Sequence, residues 1–103
     1  MHDNNQIILN KSKQLALEIV DLCISKNYPF IVRPLIQQLI KAGTSVGANV
    51  REARFAYTKD DFYYKLNIAL KEAGETQFWL EILCEKDIIT KAQFDSCYNI
   101  LNV

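Results

Sequence analysis

The chain has 103 residues, of which 50% are hydrophobic and 23% charged, and this length and composition fit a single globular domain over residues 1–103. Twelve Lys and Arg residues balance twelve Asp and Glu residues, which excludes a strong overall attraction to nucleic acid or to a lipid surface. With three glycines and two prolines, the sequence has too few turn residues for a many-stranded β-sandwich or barrel.

Hydrophobic residues recur with helical spacing along the chain and predict four helices. The first helix must end before Pro29, because proline cannot continue a helix. Thr58 and Thr90 are good N-caps for the third and fourth helices. The predicted helices cover residues 5–26, 31–56, 59–86 and 91–103. The expected fold class is therefore all-α, an antiparallel up-down four-helix bundle with a short fourth helix.

The second and third predicted helices carry matching core stripes with 4-3-4-3-4 spacing. If the chain folds back near residue 57, opposed residues have numbers that sum to about 115. The predicted layers are Leu35 with Leu80, Leu39 with Thr76, Ala42 with Ala73, Val46 with Ala69, Asn49 with Leu66, and Ala53 with Phe62. Small residues fill the middle layers, and Gly43, Gly47 and Gly74 lie at the same level, so we expect these two helices to approach closely there.

Asn49 occupies a position in this apolar stripe, where an amide is tolerated only if it is hydrogen-bonded. Two interpretations are open at this point. The amide could specify the register or the oligomeric state, as polar residues do in coiled coils. Alternatively, it lies at the edge of the stripe, bonds a neighbouring helix and has no further role.

Few residues are available for catalysis or metal binding. The single histidine, His2, lies at an end that we expect to be frayed, and the three cysteines show no CxxC spacing. Without a histidine in the bundle, neither a di-iron carboxylate site nor an activated nucleophile is expected. No segment approaches the ~18–20 apolar residues of a membrane span, and no signal peptide is evident. We expect a cytoplasmic protein that is not an enzyme and binds no metal or cofactor.

Positive charge concentrates on the second predicted helix. Residues 31–57 contain Arg33, Lys41, Arg51 and Arg54 against the single acid Glu52. At about 100° per residue, Arg33 and Arg51 point the same way, and the other two cations lie within about 80° of them. This stripe, about 30 Å long, could follow a line of phosphates. The alternative is an ordinary solvated helix face.

Helix lengths predict self-association. The fourth helix is about half as long as the third and can cover it only as far as about Ala73. The uncovered half carries an aromatic group, Phe62, Tyr63 and Tyr64, larger than soluble monomers usually expose. The second helix carries a second apolar strip, which consists of Ile36, Ile40, Gly43, Gly47 and Val50. Two different apolar surfaces on one protomer favour a heterologous contact, which closes into a ring when its rotation permits.

Residues 44–53, TSVGANVREA, followed by Asp61, Phe62 and the run IALKEAGET at 68–76, resemble a bacterial family of four-helix bundles. The family is that of the 23S rRNA intervening sequence proteins, and the chain is similar also to the accessory variability proteins of diversity-generating retroelements. Ser45, Asn49 and Glu52 match the signature of the family's second helix. The resemblance implies a homopentamer and, in the retroelement members, nucleic-acid binding through basic surfaces.

Two functional hypotheses from different classes follow. The first is a non-catalytic nucleic-acid or ribonucleoprotein accessory module, whose partner is RNA, DNA or a nucleic-acid-processing protein and whose contact is the basic face of the second helix. The second is a structural or protein–protein interaction bundle with no nucleic-acid role. Neither hypothesis involves a membrane.

Overall fold

The computed structural model describes the backbone of residues 2–101 and the side chains of residues 6–101. Its elements are α1 (His2–Ile24), a 3-10 turn (Phe30–Val32), α2 (Arg33–Arg54), α3 (Lys59–Glu85) and α4 (Lys91–Leu101). The described part contains no strand, so the predicted all-α class and the four helices are confirmed. The predicted end of the fourth helix, at residue 103, lies outside the described residues.

Local hydrogen bonds explain where these helices begin. The Thr58 hydroxyl accepts a hydrogen bond from the Asp61 backbone N–H at 3.1 Å, as predicted for an N-cap. At the start of α4, Thr90 and Gln93 form a reciprocal capping box, with distances of 3.0 and 2.9 Å. Between α1 and α2, the buried Tyr28 donates from its hydroxyl to the Leu22 carbonyl at 2.7 Å and ties the turn to the end of α1.

Helix α1 runs antiparallel to α2. Gly43 of α2 faces Ile19 of α1, and Gly47, one turn later, faces the earlier residue Ser12. The same inverse order relates α4 to α1, because Ser96 bonds Glu18 and Gln93 bonds Ser25. Between α2 and α3, the Glu52 carboxylate accepts from Lys65 at 2.8 Å, close to the connecting turn. The numbers of this pair sum to 117, near the predicted 115, and the pairing of Ala42 with Ala73 stays a prediction.

The main core is formed where all four helices overlap. Leu39, Thr76 and Leu80 from the predicted stripes are fully buried, and they are joined by Leu83 of α3 and Cys97 of α4. A second and much smaller cluster of buried residues consists of Leu9, Val50 and Ala69. It lies toward the turn between α2 and α3. The bundle is therefore well packed at one end and thinly packed at the other.

The glycines differ from the expectation that they would lie together between α2 and α3. A Cβ at Gly43 would lie 2.8 Å from Cγ1 of Ile19, and a Cβ at Gly47 would lie 3.1 Å from the Ser12 carbonyl oxygen. Both glycines therefore permit the close approach of α1, not of α3. Gly74 is exposed, and a Cβ there would meet nothing within 4 Å. Helical spacing places these residues on small-residue faces, but it does not say which neighbouring helix each face meets.

Within the described residues, no helix is both long enough and apolar enough to cross a membrane.

The glycine geometry predicts opposite effects for two equivalent substitutions. Gly43→Ala should lower the free energy of unfolding by about 1–3 kcal/mol, because the new methyl group meets the fully buried Ile19. Gly74→Ala should raise it by about 0.5–1 kcal/mol, because alanine is the better helix former and has open space there. Urea unfolding followed by circular dichroism measures both. A Gly43→Ala variant as stable as the native chain would contradict the close contact.

Candidate nucleic-acid interface

A groove runs along the surface between α1 and α2 and collects positive charge from both helices. Its walls carry Lys13 from α1 and Arg51 from α2, and both residues line two adjoining depressions of the groove. Arg54 and Phe55 complete it at the end of α2. We call this surface, defined by Lys13, Arg51, Arg54 and Phe55, the basic groove.

The shape of the basic groove follows from small residues on the two facing helices. Ala16 of α1 and Gly47 and Ala48 of α2 are among the residues that line it, and their small side chains leave space between the two helices. The cations stand on the rims, and Lys13, Arg51 and Arg54 are all exposed. A polyanion can therefore approach the helix backbones while it remains within reach of three cationic side chains.

The cations of the basic groove are not neutralised by the acid on their own helix. Glu52, the single acidic residue of α2, is bonded to Lys65 of α3 at 2.8 Å. The hydrogen bond with Glu52 and the attraction between the two charges raise the pKa of Lys65. Among the described side chains, the ion pairs are this one and Lys91 with Asp95, so neither uses a cation of the basic groove.

An aromatic ring stands beside these cations. Phe55 follows the last residue of α2, and 73% of its surface is exposed. Sequence reasoning missed Phe55 and Lys13. A signal for Phe55 was present, since this large apolar residue directly follows Arg54 in the last turn of the second predicted helix and lies outside its core stripe. The proximity of Lys13 to Arg51 and Arg54 depends on the register of α1 against α2. The amino-acid sequence alone does not determine that register.

The structure brings together only half of the predicted basic stripe. Arg33 is about 30 Å from Arg54 along α2, and its Nε donates to the Tyr28 carbonyl at 3.2 Å. Lys41 is exposed, but the helical angle places it about 80° from Arg51, on the opposite side from Arg54. The basic groove therefore contains Arg51 and Arg54 with Lys13, and Arg33 and Lys41 lie outside it.

The predicted second apolar strip on α2 is not a free surface. Ile36 is only 8% exposed, and the Cys23 thiol of α1 lies against its backbone carbonyl at 3.9 Å. Ile40 is half-buried and packs against the main core. Gly43 and Gly47 of the same strip face α1. Ile36, Gly43 and Gly47 therefore form part of the packing face for α1, which corrects the expectation that Ile36 belongs to an oligomer interface, whereas the place of Ile40 in such an interface stays a prediction.

The uncovered half of α3 is exposed as expected. Tyr63 and Tyr64 are exposed, Leu70 is 70% exposed, and Phe62 is half-buried. Beside them an open apolar groove lies between α1 and α3, beyond the end of α4. We call it the open face; its lining includes Ile8, Leu15, Val46, Val50, Leu66, Leu70, Ala73, Ile100 and Leu101. Ile100 and Leu101 of α4 line the open face together with Ala73 of α3.

A profile of the family described as "23S rRNA-intervening sequence protein" matches residues 4–103. The chain belongs to this family. A crystal structure of a protein of unknown function from the S23 ribosomal protein family of Bacteroides thetaiotaomicron is similar to this intervening sequence family member, with 40% identity and a TM-score of 0.82. The match covers 95% of this chain and 88% of the Bacteroides chain. No curated protein gives a significant match.

In this family member, the signature residues hold α2 together and fix it to α3. The Ser45 hydroxyl donates to the Lys41 carbonyl at 2.7 Å, and the Asn49 amide donates to the Ser45 carbonyl at 2.8 Å. Asn49 is half-buried, and this bond within its own helix replaces the bond to a neighbouring helix that one interpretation required. Glu52 then links α2 to α3 through Lys65. The three residues have visible structural roles.

The side chains suited to metal or redox chemistry are dispersed or buried. Among the described residues, no group of three His, Cys, Asp or Glu side chains could hold a metal ion. Burial raises the pKa of the Cys23 thiol to about 11, and burial with the nearby Glu18 charge raises that of Cys97 to about 12. Both thiols are therefore protonated at neutral pH, which makes them poor nucleophiles.

These pKa values predict slow alkylation in the folded protein. At pH 8, Cys23 and Cys97 should react with iodoacetamide at least about a hundredfold more slowly than free cysteine, because only about one thiol in a thousand or fewer is ionised. Peptide mapping by mass spectrometry measures each site, with protein unfolded in urea as the control. Labelling of either thiol in the folded chain at the rate of free cysteine would contradict the burial.

Proposed function

We propose that this protein is a non-catalytic, oligomeric accessory module that binds RNA or DNA through the basic groove, as part of a ribonucleoprotein or with a nucleic-acid-processing partner. The observation that carries the proposal is the convergence of Lys13, Arg51 and Arg54 from two helices on one exposed groove. Phosphates are the common polyanions that match such a cluster of Lys and Arg side chains.

The distribution of charge along the chain supports binding of nucleic acid on one side of the molecule. Residues 31–57 carry four cations and one acid, whereas residues 58–103 carry five lysines and eight acids. The basic groove lies between α1 and α2, so it is separated from most of the acids on α3 and α4. A phosphate backbone is thus attracted to one side of a neutral molecule. The family's description, which refers to an intervening sequence of 23S rRNA, agrees with a ribonucleoprotein setting.

The open face supports self-association of the same module. The groove is lined by apolar residues of all four helices, among them Leu70, which is 70% exposed, and such a surface is suited to contact with another protein chain. A second apolar surface exists at the other end of the 44 Å protomer, where Phe30 and Ile31 are 81% and 82% exposed. Two different surfaces favour a heterologous ring, and the resemblance to the family supports five copies.

A protein–protein interaction bundle is the alternative function, and the open face favours it. If the open face binds a different protein and the basic groove binds no phosphates, the exposed cations only keep α2 soluble. Binding to nucleic acid as a function of salt distinguishes the two functions, because phosphate contacts weaken steeply as salt rises.

Charge reversal should locate the nucleic-acid contact. Reversing Arg33, Lys41, Arg51 and Arg54 to Glu together should abolish retention of labelled RNA and DNA at ~50 mM salt. The pair Arg51→Glu and Arg54→Glu should account for most of this loss, because both residues line the basic groove. The pair Arg33→Glu and Lys41→Glu is the matched control, with the same charge change on the same helix. Fluorescence anisotropy measures binding, and circular dichroism verifies the fold.

The outcomes separate the hypotheses clearly. Unchanged binding in the fourfold variant would move the contact to another surface. Equal losses of nucleic-acid binding in the two paired variants would show that the positive charge of α2 as a whole attracts the nucleic acid, and not the basic groove. No binding by the native protein at ~50 mM salt would leave the protein-interaction function.

Self-association through the open face predicts a mass of about 60 kDa, five times the 11.9 kDa of one chain, in light scattering at micromolar concentration. Leu70→Lys should reduce this mass, because a buried charge opposes the contact. Leu17→Lys is the matched control, since Leu17 is also an exposed leucine but does not line the open face. A native mass of 12 kDa would contradict self-association, and a twofold dimer would refute the ring alone.

A further inference from the structure

We infer that the basic groove takes an unpaired stretch of nucleic acid, with the phosphates between Lys13 and the two arginines and one base stacked on Phe55. This inference rests on the proposed function and adds the class of ligand. The juxtaposition that carries it is an exposed phenyl ring in the same depression as Lys13, Arg51 and Arg54.

Most of the Phe55 ring does not contribute to packing within the bundle. It is the C-cap residue of α2, and its backbone N–H completes the helix end by bonding the Glu52 carbonyl at 3.1 Å. Any residue type except proline could supply that N–H, whereas Phe55 as a whole is 73% exposed. A phenyl face beside two guanidinium groups is a platform on which any base can stack, because every base has a π-face.

A double helix does not present its bases to such a platform. In a duplex the base faces are already stacked, and a ring on the wall of a groove would meet sugar and phosphate only. In an unpaired strand, the base next to a bound phosphate is free to turn toward the ring. The cations are also clustered, since Arg51 and Arg54 are about 4.5 Å apart along the helix axis. The basic groove therefore matches a few nucleotides of one strand.

Amide groups on the α1 rim give the basic groove polar contacts for a base edge. Gln6 and Asn10 both line it, and the Gln6 amide nitrogen donates to the Asn10 side-chain oxygen at 3.0 Å. This bond between them directs the Asn10 amide nitrogen and the Gln6 oxygen, one donor and one acceptor, to other partners. An unpaired base offers its Watson–Crick edge to such groups, whereas a paired base does not.

The test compares an unpaired oligonucleotide with a blunt duplex of the same length, both fluorescently labelled, on the full chain. Native protein should bind the unpaired strand at least about tenfold more tightly. Phe55→Leu should weaken that binding about five- to a hundredfold, the range found when stacking rings are removed. Tyr57→Leu is the matched control, because Tyr57 is fully exposed two residues further on and does not line the basic groove.

Two further readouts distinguish stacking from charge. Phe55→Leu should leave the slope of log affinity against log salt unchanged, because no phosphate contact is lost. Phe55→Trp should retain binding, and its added tryptophan fluorescence should be quenched by the unpaired strand but not by the duplex.

Equal affinity for strand and duplex, or equal effects of Phe55→Leu and Tyr57→Leu, would overturn the inference. In either case the proposed function would survive if Arg51→Glu with Arg54→Glu still abolished binding. Absence of binding by the native chain to either probe would overturn both.

Discussion

The close contact of α1 with α2 is the constraint on which the rest of the molecule depends. Ile19 packs where Gly43 has no side chain, and the Ser12 backbone lies against Gly47. This contact fixes the register of two long helices and brings Lys13 opposite Arg51. The same contact buries the apolar strip that includes Ile36. A charged groove and a buried strip are thus two results of one packing interaction.

The short α4 is a second constraint on the structure, because it leaves one end of the bundle uncovered. With 11 residues against 27 in α3, α4 completes the bundle at one end only. There it contributes the buried Cys97 and bonds Glu81 of α3 through the Tyr98 hydroxyl at 2.9 Å. Where the described part of α4 does not reach, α1, α2 and α3 form the small buried cluster of Leu9, Val50 and Ala69. These three helices bury their apolar residues incompletely there, and the open face is the result.

The sequence predicted the features that depend on local chemistry. Thr58 and Thr90 were identified as caps because a hydroxyl at these positions accepts from a backbone N–H three residues later. The helix lengths, and with them the exposure of Tyr63 and Tyr64, followed from the same reasoning. Periodicity also placed the apolar faces of α2 correctly.

The features that sequence reasoning missed depend on which helix meets which face. A close approach of α2 and α3 was expected at the level of Gly43 and Gly47, but these two glycines face α1. Because α1 packs on this side of α2, Ile36 is a core residue and not the surface residue that was predicted. Sequence reasoning also left Lys13 out of the candidate site. Helical periodicity identifies the residues that share a face. The helix that packs on that face depends on which arrangement of all the helices is most stable.

Both candidate surfaces lie at the thinly packed end of the bundle, and the packing explains why. Leu9 and Val50, with Ala69, form the small buried cluster there. Leu9 lines the basic groove, whereas Val50 and Ala69 line the open face. The two surfaces are thus opposite sides of one small core. A core of this size supplies little burial energy, so covering the open face adds apolar burial beside Val50. If copies of the chain associate through the open face as proposed, that burial would stabilise the α1 segment carrying Lys13, so self-association would also steady the geometry of the basic groove.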